Sequence, residues 1–270
     1  MKNFAVAVKG IIKRAENNIY RDISFLGVAL VIGWTVACLI LTGTSKSFGY
    51  SFVFGAIYYI SLILLCLAVF KNIGKYFGSP FKLNSIPKFI GSRLDIVFTY
   101  PVFLVSFIGV VSSMLTLSGL VPRSPEPLTG INITTDEVFV RFFLLPFVAF
   151  AEELLNLIVV SFLYKCLKVL RSSRLLASVL TASAVFGFLH SFGWGFGAAL
   201  SVAVSFLPVF FVTLYTGNIW ISVLAHLYND IIASIRAYNG SYATAMIAVI
   251  VFVPVVWSIA AAFGVYGKNK

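Results

Sequence analysis

The sequence predicts an all-α fold, a polytopic membrane helix bundle of about eight transmembrane helices. Three observations predict it. The chain is 60% hydrophobic with a mean hydropathy of +1.00, and only 11% of it is charged, against about 25% in a soluble domain. Apolar runs of the ~20 residues needed to cross a bilayer follow one another along the chain. Sixteen of its twenty Lys and Arg residues fall on one side of an eight-span arrangement.

The elements follow in order. Residues 1–22 place Phe4, Val8, Ile11, Ile12, Ala15 and Ile19 at helical spacing, with Lys9, Lys13, Arg14 and Arg21 between them. This is a basic amphipathic helix, expected on the cytoplasmic surface of the membrane. The segment does not read as a cleaved signal peptide. Residues 23–136 hold the first three spans (23–45, 47–70 and 96–122) and an outer loop rich in proline. The next span, 142–164, is interrupted by Glu152 and Glu153. The long apolar run 175–229 breaks at Ser191–Gly195 and at Tyr215–Asn218, which gives spans near 174–191, 196–215 and 219–236. Residues 241–270 carry the remainder of a last span, 237–267, and the tail.

Charge sets the orientation. Segment 1–22, loops 71–93 and 164–174 and the tail hold the sixteen cations; only Lys46, Arg123, Arg141 and Arg236 lie elsewhere. The positive-inside rule puts both termini in the cytoplasm of a multi-pass cell-membrane protein. The net charge of +11 does not point to nucleic acid, because no basic segment outside the spans is long enough to bind it. The lipid bilayer, with its anionic headgroups, is the expected partner. Cys38, Cys66 and Cys166 are odd in number and lack CxxC spacing, so they read as small buried hydrophobes. Two glycosylation-type triplets, Asn132-Ile133-Thr134 and Asn239-Gly240-Ser241, are common by chance.

The chemistry is expected between residues 137 and 236. Glu152 and Glu153 are two carboxylates in an apolar span, where each costs a few kcal/mol. Adjacent on a helix, they point ~100° apart, so one is expected to face a reaction centre and the other to pair or orient. Asn156 shares the face of Glu152. His190 lies one turn after Phe186, and His226 one turn before Asp230. Both histidines of the chain and three of its nine acids thus lie within about eighty residues of membrane span, which fits one shared cavity. HExxH is absent, and no GxSxG stands out. What remains is a carboxylate and a histidine to activate water, with a second histidine and a polar side chain to stabilise an oxyanion.

Glu152-Glu153, Phe186-x-x-x-His190 and His226-x-x-x-Asp230, in that order on separate spans, resemble the motifs EExxxR, FxxxH and HxxxN/D. These belong to the CAAX protease and bacteriocin-processing enzyme family of intramembrane glutamic endopeptidases. Thr216-Gly217-Asn218-Ile219-Trp220 also looks like the lead into the last motif, and the resemblance covers the expected catalytic core, 137–240. It implies a hydrolase, metalloendopeptidase-like yet independent of metal, with no cofactor. The implied substrate is a membrane-anchored or prenylated peptide or protein. The resemblance makes Glu152 the residue that activates water, Glu153 its support and His190 the partner that orients the water. His226 and Asp230 would form the oxyanion side. One position departs: Leu157 stands where the motif has arginine, and Arg141, ~16 Å away along the helix, is a poor substitute.

Two other readings stand beside the protease. One is a non-catalytic or bacteriocin-immunity protein that binds a membrane partner; the other is a proton-coupled transporter using Glu152 and His190 as a relay. The span assignments also carry a tension. His190 falls near the outer end of its span and His226 nearer the inner end of its own. A single site then requires helix 174–191 to tilt, or Ser191–Gly195 to dip into the membrane.

Overall fold

The computed structural model describes residues 2–43, 48–77, 95–121, 135–194 and 196–238. Among them are eight α-helices and no strand. They are α1 (Lys2–Asn17), α2 (Phe25–Gly43), α3 (Phe48–Val69), α4 (Tyr100–Leu117), α5 (Thr135–Cys166), α6 (Arg174–Trp194), α7 (Phe196–Thr216) and α8 (Trp220–Tyr238). A π-helical turn, Asp95–Thr99, leads into α4, and short 3-10 turns follow α3 (Ile73–Phe77) and α5 (Lys168–Ser173). Seven of the expected spans coincide with α2 to α8. The eighth span, most of the outer loop, the tail and both glycosylation-type triplets lie outside the described residues. Among the described residues, five stretches are long and apolar enough to cross a membrane: Phe52–Val69, Asp95–Leu117, Val140–Cys166, Arg174–Ser191 and Ala199–Thr216; Phe25–Leu41 and Trp220–Ile235 are shorter apolar helices. The chain is a multi-pass membrane protein, all-helical among its described residues.

Helix α5 is the axis of the bundle. It is packed by α2, α3, α6, α7 and α8, and every residue from Glu153 to Ser161 is buried. That is why its sequence is apolar all round rather than on one stripe. Helices α6 and α7 form the most extensive pair, brought together by small residues. Gly187 lies against Ala199 and Ala203, where an added Cβ has no room, and the Ser183 hydroxyl donates to the Ala203 carbonyl.

One sequence expectation holds and one changes. Helix α6 runs past Ser191 to Trp194 and α7 starts at Phe196, so the chain breaks inside the expected Ser191–Gly195 stretch; the Ser191 hydroxyl donates back to Phe188 O at 2.6 Å, a bond that a helical turn accommodates. Cys166, at the end of α5, is exposed, while Cys38 and Cys66 are buried.

The α7–α8 turn explains how the motif residues come level. His190 lies ~24 Å from the Arg174 end of α6 and Glu152 ~21 Å from the Cys166 end of α5, but His226 only ~9 Å from the Trp220 end of α8. The turn is therefore recessed into the bundle by ~12–15 Å. Gly217 makes it, with φ +65°, and a Cβ there would also press on the Asn18 side chain at 3.2 Å. Asn218 Oδ1 accepts from Trp220 N at 2.8 Å and so caps α8.

The space beneath the turn is filled by α1 and the Ile73–Phe77 turn. Asn18 Nδ2 donates to Leu214 O at 2.8 Å, and Arg14 Nε to Tyr215 O at 3.2 Å, so both cover the carbonyl end of α7. Tyr76 closes the plug: its hydroxyl donates to Asn18 O, and its carbonyl accepts from Ile219 N at 3.1 Å. Val8 and Ile11 of α1 stay exposed while Ala15 and Ile19 are buried, so α1 is a plug as well as a surface helix. Burial, with Asp22 nearby, pushes the phenol of Tyr20 in this plug up to about 12.

Candidate active site

Glu152 and Glu153 stand at the middle of α5, and His226 of α8 bridges them. Its Nδ1 is 2.9 Å from Glu153 Oε1 and its Nε2 is 3.4 Å from Glu152 Oε2. Two carboxylates ~100° apart on one helix therefore meet the two nitrogens of one imidazole. The expectation that the pair divides between facing and supporting is sharpened by this arrangement: both face the same ring.

Glu153 is the enclosed member, with its side chain 1% exposed. It also accepts from Asn156 Nδ2 at 3.4 Å. Asn156 was expected beside Glu152; its amide instead turns to the glutamate three residues before it, the other neighbour that a helix offers. At the departure from the motif, Leu157 is buried and lines a cavity of about 10 Å³ together with Glu153, Asn156, Val160, Phe210, Thr213 and Leu214. That volume is at the lower limit for one water. Here Glu153 is held by His226 and Asn156.

Glu152 is the open member, its side chain 14% exposed. His190 Nε2 approaches its Oε2 to 3.6 Å. His190 Nδ1 lies 2.9 Å from the Phe186 carbonyl, one turn back. A carbonyl only accepts, so Nδ1 carries a hydrogen, and in the neutral ring Nε2 is a bare acceptor aimed at Glu152. Asp230 Oδ2 lies 3.7 Å from His226 Nε2, and Asp230 Oδ1 accepts from Asn229 Nδ2 at 3.5 Å. The Glu152 oxygen Oε2 is buried and makes no direct hydrogen bond among the described residues. Its 3.4–3.6 Å gaps to two imidazole nitrogens exceed an ideal direct bond, so this oxygen keeps acceptor capacity beside both rings.

Aromatic rings pack around the two histidines. Phe186 packs edge-on against His190 at 4.4 Å between centroids and against His226 at 5.9 Å, and Phe206 backs His226 at 5.0 Å. The Phe of FxxxH thus supplies a carbonyl to one histidine and a wall to both.

The structure brings together all five expected residues: Glu152, Glu153, His190, His226 and Asp230. It also adds one that was missed. The Tyr59 hydroxyl of α3 donates to Glu152 Oε1 at 3.3 Å, so the polar groups at the site are not confined to residues 137–236. The signal was a Tyr58-Tyr59 pair in an otherwise apolar span, and nothing in the sequence said which helix it would face. The metalloendopeptidase-like part of the expectation finds no support: among the described residues, no group of three or more His, Cys, Asp or Glu is arranged to hold a metal ion.

No curated protein and no solved structure matches the chain. Residues 130–232 match the family described as type II CAAX prenyl endopeptidase, Rce1-like, a stretch that spans all three motifs. Over that segment the chain is similar to this family, in line with the three motifs it carries.

Proposed function

We propose that the chain is an intramembrane endopeptidase that hydrolyses a peptide bond in a membrane-anchored or prenylated peptide. Water is the nucleophile, activated by Glu152 and the two histidines. The observation that carries this reading is the convergence of Glu152 Oε2, His190 Nε2 and His226 Nε2 within 3.4–3.6 Å. The family match supports a protease acting on a membrane-associated substrate.

Each group has a role that its bonding supports. A water between Glu152 Oε2 and His190 Nε2 gives one hydrogen to each. Glu152 accepts a proton as the water oxygen bonds to the scissile carbonyl carbon, and the carbonyl π electrons move to oxygen. His226, with Nδ1–H on Glu153, donates from Nε2 to the oxyanion in its imidazolium form, and Asp230 steadies that ring. An ionised Asp230 has no hydrogen to donate, so its role is orientation. Collapse of the intermediate breaks the C–N bond, and Glu152 returns its proton to the leaving amine.

Leu157 at the arginine position is the observation that favours a non-catalytic relative. Against it stands the alternative support of Glu153 by His226 and Asn156. The test is cleavage of a prenylated reporter peptide by the purified protein, with Glu152→Gln as the control. Loss of cleavage in that variant supports the protease; a cellular phenotype that survives Glu152→Gln supports partner binding.

A further inference from the structure

Helix α3 lies outside residues 130–232, yet it reaches Glu152. Tyr59 is near the middle of α3, and its hydroxyl donates to Glu152 Oε1 at 3.3 Å. The approach is prepared one turn earlier on the same face. Gly55 lies against Leu144 of α5, and a Cβ there would already touch Leu144 Cδ2 at 3.4 Å. The neighbouring Tyr58 packs its ring on Tyr59 at 4.6 Å, but its hydroxyl pairs with Thr35 of α2 rather than with Glu152.

A glutamate carboxylate has two equivalent oxygens, and rotation about its last bond is soft. Left alone, either oxygen can turn to either histidine. A donor on Oε1 breaks that equivalence and leaves Oε2 toward His190 and His226. We propose that Tyr59 is a positioning residue for this site: its phenol anchors Oε1 so that Oε2 is the oxygen presented to the two histidines and the water. The inference rests on the hydrolytic reading above. At 3.3 Å the bond is longer than an ideal hydroxyl bond of about 2.7–2.8 Å, so the effect is moderate.

The test uses the full chain in lipid vesicles, with Tyr59→Phe, Tyr58→Phe and Glu152→Gln. In Tyr59→Phe, kcat for the reporter peptide falls about tenfold with KM unchanged, as expected for one hydrogen bond to a charged group. Tyr58→Phe keeps the wild-type kcat; a merely structural loss of a hydroxyl in α3 would lower both alike. Infrared spectroscopy reads the contact without turnover: the carboxyl band that disappears in Glu152→Gln shifts in Tyr59→Phe and stays in place in Tyr58→Phe. Wild-type kcat in Tyr59→Phe, or equal losses in the two tyrosine variants, overturns the positioning role. An unshifted band overturns the contact itself, even in protein that cuts no peptide. Absence of cleavage by the wild type with a shifted band overturns the hydrolytic reading, and the positioning role with it, while leaving the contact in place.

Discussion

Glu152 and Glu153 are consecutive residues in one helix, but their surroundings differ. Glu153 sits in a closed seam between α5 and α8, 1% exposed, in a 2.9 Å contact with His226 and bonded to Asn156. Glu152 lies among α3, α6 and α8, 14% exposed, with histidine nitrogens at 3.4 and 3.6 Å. The first is the tighter arrangement, holding the ring through one oxygen. The second is looser and partly exposed. A buried charge is worth holding only if something keeps it paired, and it is the enclosed carboxylate that has the close partners.

This contrast predicts that the two glutamates fail differently. Glu152→Gln is nearly isosteric but accepts no proton, so kcat falls by roughly 10²–10⁴ with an unchanged melting temperature. His226→Ala strips Glu153 of its closest partner and leaves a buried carboxylate. A loss of stability of about 3–5 kcal/mol is expected, read by thermal unfolding in detergent. If the two variants unfold alike, the division between the enclosed and the looser glutamate is wrong.

Leu157→Arg sharpens the comparison inside the seam. The cavity beside Leu157 is about 10 Å³, far too small for a guanidinium, and His226 and Asn156 already hold Glu153. Restoring the motif residue is therefore expected to destabilise by about 1–3 kcal/mol through overpacking and not to raise activity. A gain in kcat would show that Glu153 lacks support here. The smallest effect belongs to Asp230. Asp230→Asn keeps the size of a side chain 21% exposed and 3.7 Å from His226, so it removes a charge without leaving a cavity; stability is expected to change by about 1 kcal/mol, with kcat within about tenfold.

Much of this was legible in the sequence, for identifiable reasons. Span-length apolar runs and clustered cations gave the helices, because a bilayer admits little else. The adjacent glutamates and the i, i+4 pairs of the other two motifs marked the site, because such groups are expensive in lipid. What could not be read were contacts set by depth and helix rotation. The recessed α7–α8 turn depends on a plug from the α1 end and Tyr76, contacts that span 196 residues between Asn18 and Leu214 and 143 between Tyr76 and Ile219. The orientation of Tyr59 is hidden because α3 is apolar on every side. Asn156 could pair with either glutamate by spacing, and only the position of His226 decides between them.

The central claim is that Glu152 activates water for peptide-bond hydrolysis. The most direct test is mass-spectrometric cleavage of a prenylated reporter peptide in vesicles containing EDTA, comparing wild type with equally folded Glu152→Gln. The wild type is expected to cut one peptide bond, with oxygen-18 from labelled water in the new carboxylate, and the variant to cut none. Equal cleavage by both proteins, or wild-type cleavage abolished by EDTA, would contradict it.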